Sequence, residues 1–281
     1  MSKVLSVGIA TLDTIVLVDK YPAANERVIA RDIVRAVGGP ATTAAVTMAR
    51  LGIDVALSCV IGDDEAGRHI FDTLKREGVD TRNVVIDPHV STSVGNIVVS
   101  TKEESRAIMV QLHSVKPGKP TNIADYDWVH VDQSGMESVK LWGVHRGGRT
   151  KLSIDIGYQT PGLNSADYDL FVPSENITTD VSSAARDKNT VVISRGGAGS
   201  IYSNGVETGT VPAIETEIVS TLGAGDVFHG ALVAAQVWKK SLAESVEIAT
   251  IVAGLSCRAL DGQSGIPTKA ELDAFRAGVR S

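Results

Sequence analysis

The strongest constraint on the fold is the order of three segments near the start of the chain. VLSVGIA (4–10) is a short run of buried-strand type, and VALSCVIG (55–62) is another. Between them, PATTAAVTMARLG (40–52) carries Ala, Val, Met and Leu at helical spacing and closes on a glycine. Strand, helix and strand of this length read as a parallel crossover, because parallel neighbours cannot be joined by a tight turn. The rhythm continues. AGRHIFDTLKREG (66–78) sets Ile70, Phe71 and Leu74 inward, and strand-like runs follow at 128–133, 151–157, 170–174 and 190–197. This alternation predicts an α/β fold, a three-layer sandwich with a mostly parallel central sheet between helices.

Two segments break the rhythm. Residues 14–37 and 91–112 alternate apolar and polar side chains, as antiparallel strands with one exposed face do, and residues 101–105 read as a turn. They predict a small β-sheet lid projecting from the main body. With no internal repeat and no linker, residues 1–281 read as one domain carrying the lid strands as insertions.

Composition narrows the function classes. At 43% hydrophobic residues, the chain has enough apolar surface to offset the entropy of ordering. No run reaches the roughly 18 apolar residues of a membrane span. The N-terminus passes straight into strand-like sequence without a signal-peptide pattern, so a cytoplasmic location is expected. A net charge of −6 without a basic block argues against nucleic acid or an anionic membrane as partner. Cys59 and Cys257 sit among apolar neighbours and read as buried free thiols. The six histidines show no metal-ligand spacing.

Three segments carry chemistry. In STLGAGDVFHGALV (220–233), Gly223, Ala224 and Gly225 form a tight turn into an apolar helix. Its start offers unpaired N–H groups and a positive dipole end, an anion hole suited to phosphate. Asp226, in the first turn, is placed to accept a proton from an attacking hydroxyl. The helix dipole lowers the pKa of an Asp there and weakens it as a base. The alternative is an ordinary helix complemented by Thr221 and Asp226. The second segment, SRGGAGS (194–200), follows a strand and is placed to line a nucleotide pocket or to turn a hairpin. Neither a P-loop nor a dinucleotide-binding fingerprint is present. In the third, Asp13 stands just past the first strand near VGGPATT (37–43), suited to sugar hydroxyls or simply to a turn, and Asp132 ends a strand that points at the same cleft. Asp63 and Asp64 read as caps for a helix starting near Glu65.

Taken in order, VGIATLD, GGPATTAAVTMARLG, VIGDDEAGRHIFDTLKREGVDT and STLGAGDVFHGAL resemble the ribokinase-like (PfkB) carbohydrate kinase family over nearly the whole chain. The resemblance implies transfer of the ATP γ-phosphate to a sugar hydroxyl with magnesium. It implies Asp226 as base and Gly223, Ala224 and Gly225 as anion hole. Ser194, Gly196, Gly197, Gly199 and Thr221 then face the nucleotide. Asp13, Gly38, Gly39 and Thr43 face the sugar, with Thr43 where ribokinases usually carry Asn. Two departures stand out. Ser220 replaces the first Asp of the family's DTxGAGD signature, which leaves a monovalent-cation site open. Ser174 and Ile177 replace the Asn and Glu of its NxxE motif, which leaves Glu175 to assist magnesium through water. Within the family the sequence looks most like sulfofructose kinases, then ketohexokinases. Arg27, Asn96 and Arg106 become lid residues near the substrate, with Arg27 placed for a sulfonate or phosphate. The expected substrate is a ketose such as 6-deoxy-6-sulfofructose. Ribokinase, fructokinase, keto-deoxygluconate kinase and nucleoside kinase activities are alternatives, as is a non-catalytic binding protein. Exposed lid strands imply a homodimer.

Overall fold

The computed structural model describes residues 3–113, 115–178, 181 and 189–278. Its larger sheet has nine strands. In spatial order they are Thr208–Val211 (β13), Ser200–Ser203 (β12), Thr190–Ser194 (β11), Leu170–Pro173 (β10), Lys151–Ile156 (β9), Trp128–Val131 (β8), Lys3–Val7 (β1), Asp54–Gly62 (β4) and Asp80–Asp87 (β5). Every neighbouring pair from β11 to β5 is parallel, and β12 and β13 add an antiparallel edge.

Alternate residues of each strand enter different cores, as a period of two requires. Val4, Leu57 and Val172 face one side, where helices Pro40–Arg50 (α1), Glu65–Arg76 (α2), Ala224–Val237 (α4), Leu242–Ser256 (α5) and Lys269–Arg276 (α6) supply Ala44, Ile70, Leu232, Val252 and Leu272. Leu5, Val131 and Phe171 face the other side, with Val139 of Met136–Leu141 (α3), Trp142 and Tyr168. Glycines and alanines on α1 and α4 let these helices pack closely: a Cβ on Gly230 would lie 2.6 Å from the Ala44 carbonyl oxygen. Arg50, at the end of α1, reaches both Glu77 oxygens at 2.7 and 2.9 Å and the carbonyls of Gln263 and Ile266 at 2.7 and 3.0 Å. It thereby ties the 258–268 connection to the ends of α1 and α2.

The second sheet has four strands in the order Asp32–Gly38 (β3), Thr11–Val18 (β2), Ser93–Ser100 (β6) and Ser105–Gln111 (β7). β2–β3 and β6–β7 are antiparallel, as the alternating pattern suggests, but the central β2–β6 pair is parallel. The reason is topological: β2 and β6 continue outward from β1 and β5, which run the same way in the main sheet. Ile15, Ala36, Ile97 and Val99 form a small core that packs on Leu222 and Leu260, seating one face of this lid over the start of α4.

Asp64 caps α2 by accepting from Gly67 N–H at 2.8 Å. Cys59 and Cys257 are buried and free, and burial pushes the Cys59 thiol up to about 12. Among the described residues no helix is long and apolar enough to cross a membrane.

Candidate active site

The GAGD turn is anchored before α4 begins. Val219 and Ser220 donate their N–H groups to the Cys257 carbonyl at 2.8 and 3.1 Å, and the Ser220 hydroxyl accepts from Leu222 N–H at 3.1 Å. Gly223 caps the helix at φ +71°, left-handed backbone that strains any residue with a Cβ. Gly262 backs the turn so closely that a Cβ there would lie 2.1 Å from the Leu222 carbonyl oxygen. The Val227 N–H to Gly223 carbonyl bond, 2.9 Å, closes the first helical turn. The Ala224 N–H, expected in the anion hole, donates to the Thr221 carbonyl at 3.3 Å, so the Gly223 and Gly225 N–H groups and the positive dipole end are what suit an anion at this helix start.

Asp226 stands half-buried in that first turn. Its surroundings reverse the weak-base expectation. Burial holds its carboxyl well above the usual carboxylate range, and the charge of Asp155 and a hydrogen bond shared with it push the same way. Asp155 ends β9, buried beneath the helix, with its Oδ2 2.6 Å from Nδ1 of buried His229. Burial raises Asp155 too, but His229 outweighs it and leaves Asp155 below its ordinary value. His130 of β8 lies behind, its ring 6.3 Å from that of His229 and its Nδ1 3.0 Å from Ser153 Oγ. Burial, then His229, brings His130 down to about 4. Sequence reading missed Asp155 and His229. The signal was there: 226 and 229 share a helix face, and Asp155 ends a central strand.

Facing the turn, Asp13 on β2 sits between two glycines. A Cβ on Gly38 would lie 2.0 Å from its Oδ2, and one on Gly95 would lie 2.3 Å from its Oδ1. Burial raises Asp13, partly offset by hydrogen bonds with Thr11 and Gly95. Gly39, at φ +98°, caps α1, and Thr43 one turn in donates its N–H to the Gly39 carbonyl. The Thr43 methyl lies 3.8 Å from where a Gly223 Cβ would stand, and its hydroxyl accepts from Gln263 at 3.4 Å. Two helix starts and a lid carboxylate thus meet around one cleft. Arg106 on β7 reaches down from the lid, donating to the Thr221 hydroxyl at 2.9 Å.

Three residues fall elsewhere. Asp132 is not open to a sugar: it is 2% exposed. Its Oδ2 accepts from Ile9 and Ala41 N–H, and its Oδ1 from Ser134 and Gly135 N–H. It therefore ties β1, α1 and β8 together, with a carboxyl pushed up to about 6, chiefly by burial. Asn96 is exposed on the far face of the lid, because Gly95 pairs with Asp13 and side chains alternate. Arg27 is exposed in the connection between β2 and β3.

The Ser194–Ser200 segment leaves the carboxyl end of β11, two strands from Asp155, about 10 Å along the sheet edge. Gly196, Gly197 and Ala198 form a 3-10 turn, and Gly199, at φ +80°, would clash with the Val211 carbonyl oxygen if it carried a Cβ. The segment is both a glycine loop at the carboxyl edge of the sheet and the turn into β12.

Glu175 is exposed, and among the described residues no three His, Cys, Asp or Glu side chains come together as ligands. The neighbouring Ser174 hydroxyl is buried without a partner. Magnesium carried by ATP needs only one or two protein carboxylates besides phosphate and water, and Glu175 would supply one through water.

A helix start with a left-handed glycine cap, a carboxyl in its first turn and a second sheet seated over both come together here. The model for pfkB family carbohydrate kinases matches residues 1–140 and 163–269. The chain is 26% identical over 294 residues to the ribokinase of Bacillus subtilis, covering 97% of this chain and 99% of that one. It is 24% identical over 299 residues to the ribokinase of Lactococcus lactis subsp. lactis, covering 98% and 97%. The fold matches the ribokinase of Cryptococcus neoformans, crystallised with ADP, at a TM-score of 0.81 and 19% identity, over 98% of this chain and 100% of that one. The chain belongs to the PfkB family of carbohydrate kinases and is an ATP-dependent sugar kinase of the ribokinase group. The relatives named are ribokinases, and they lend no support to the closer resemblance to sulfofructose kinases.

Proposed function

We propose that the enzyme phosphorylates a primary hydroxyl of a small neutral sugar, with ribose the favoured acceptor, and that Asp226 is the base. The observation that carries this reading is the cleft: the Asp226 carboxyl beside the GAGD N–H groups, opposite a lid carboxylate seated between Gly38 and Gly95. Asp13 accepts hydrogen bonds from sugar hydroxyls and orients the ring. As the hydroxyl oxygen bonds to the γ-phosphorus, its proton passes to Asp226. The bond from phosphorus to the β–γ bridging oxygen breaks, and ADP leaves with that electron pair. The N–H groups of Gly223 and Gly225 stabilise charge on the transferred group. The lid excludes water, which protects ATP and strengthens these interactions.

A second reading has one observation in its favour. Arg106 brings a guanidinium to the cleft side of the lid, where it suits a sulfonate or phosphate on the far end of a ketose. ADP release with ATP and magnesium, measured across ribose, fructose, fructose phosphates, sulfofructose, keto-deoxygluconate and adenosine, separates the readings. Ribose as the strongest acceptor supports the first. A sulfonated or phosphorylated ketose ahead of ribose replaces it with the second.

A further inference from the structure

Buried polar side chains that take no direct part in the proton transfer lie beneath Asp226. Three of the buried side-chain atoms without an aligned hydrogen bond are Asp155 Oδ2, His229 Nδ1 and His130 Nε2. The first two are 2.6 Å apart, close enough for an ion pair but off the line of an N–H···O bond. A buried charge next to a buried ring is costly, and structures retain such groups where they do something. Here the Asp155–His229 pair stands against the carboxyl in the first turn of α4.

The geometry fixes the arrangement. Asp226 and His229 are three residues apart on α4 and share its inward face. Asp155 rises from β9 to meet both, touching His229 on one side and the Asp226 carboxyl on the other. We propose that Asp155 and His229 are positioning residues for Asp226: the close contact of His229 with Asp155 fixes a carboxylate beside it. That carboxylate holds the Asp226 carboxyl in place and offsets the helix dipole, so that Asp226 stays a competent base. The inference rests on the reading of Asp226 as base.

The proton balance is simple. Two carboxyls in contact cannot both ionise freely, so one retains a proton to higher pH. His229 favours the charge on Asp155, so the last proton to leave the pair leaves from Asp226. A carboxyl that binds its proton more tightly accepts one from a hydroxyl more readily once it is ionised. The other charged or titratable groups acting on the pair are Arg106 from β7, which lowers Asp226, Asp132 from the end of β8, which raises it, and His130. Asp132 is held by four backbone N–H groups and His130 by Ser153, so neither touches substrate.

The test is the pH profile of kcat/KM for the sugar at saturating ATP, in Asp155→Asn, His229→Asn and the double variant, with Asp226→Asn alongside. Losing the Asp155 charge lets Asp226 ionise earlier, so the acid limb moves down by about one pH unit. Losing His229 moves the proton onto Asp155 and frees Asp226, so that limb moves down too. The double variant matches Asp155→Asn alone, because both act through one pair. The plateau kcat falls roughly tenfold as Asp226 becomes a weaker base. An unmoved acid limb in variants that fold and bind ATP overturns the inference and leaves the assignment of Asp226 standing. Activity retained in Asp226→Asn overturns that assignment instead. Where Asp155→Asn does not fold, the His229→Asn profile decides alone.

Discussion

Asp132 shows how a single side chain can be legible as chemistry and yet serve structure. Its position at the end of β8 points to the cleft, as the sequence suggests, but both its oxygens are taken by backbone N–H groups from three separate segments. Sequence spacing cannot reveal this, because Ile9 and Ala41 are brought in by β1 and α1. Asp132→Asn sets an amide NH2 against backbone donors, leaving one or two buried N–H groups unpaired at roughly 1–3 kcal/mol each. Thermal unfolding should show a Tm several degrees lower. A variant with unchanged Tm and a raised KM for sugar would return Asp132 to the substrate site. Asp226 is the opposite case. Its helix position was plain in GAGD, but its basicity depends on Asp155, about 70 residues earlier in the chain, which only the folded sheet places beside it.

At the level of elements, the crossover rhythm of β1, α1 and β4 was legible because parallel strands buried on both faces read as continuous apolar runs. β5 was not, since DTRNVVID is a half-exposed edge strand without such a run. The lid was legible as alternation, yet its faces were not, because assigning them needs the register of β2 with β6. That register turns Asp13 and Arg106 toward the GAGD turn and Asn96 away. The Arg106–Thr221 bond is the lid's direct polar tie to the start of α4. Arg106→Ala is therefore expected to raise KM for the sugar several-fold, with a smaller effect on kcat, while Asn96→Ala leaves both near wild type. Steady-state kinetics of the two variants checks the lid's orientation. Equal effects would mean that the outer face contacts substrate.

On the scale of the whole molecule, both edge strands of the lid carry exposed apolar side chains. β7 is exposed along its length, with Ile108, Met109 and Val110 each about half exposed, and Ile33 on β3 is 59% exposed. Exposed apolar strand edges invite pairing with another sheet. We propose that a second copy of the chain covers the lid, making a homodimer. Sedimentation should then give a dimer for the native protein and a monomer for Met109→Glu with Ile33→Glu. A native monomer would refute the arrangement.

The central claim is that the GAGD turn with Asp226 performs phosphoryl transfer to a sugar. It is tested most directly by comparing native enzyme with Asp226→Asn for both ATP binding and ADP release, using ribose as acceptor with magnesium. The account predicts that the variant binds ATP as the native enzyme does while sugar-dependent ADP release falls by about 10²–10⁴-fold. Near-native turnover by Asp226→Asn would contradict it.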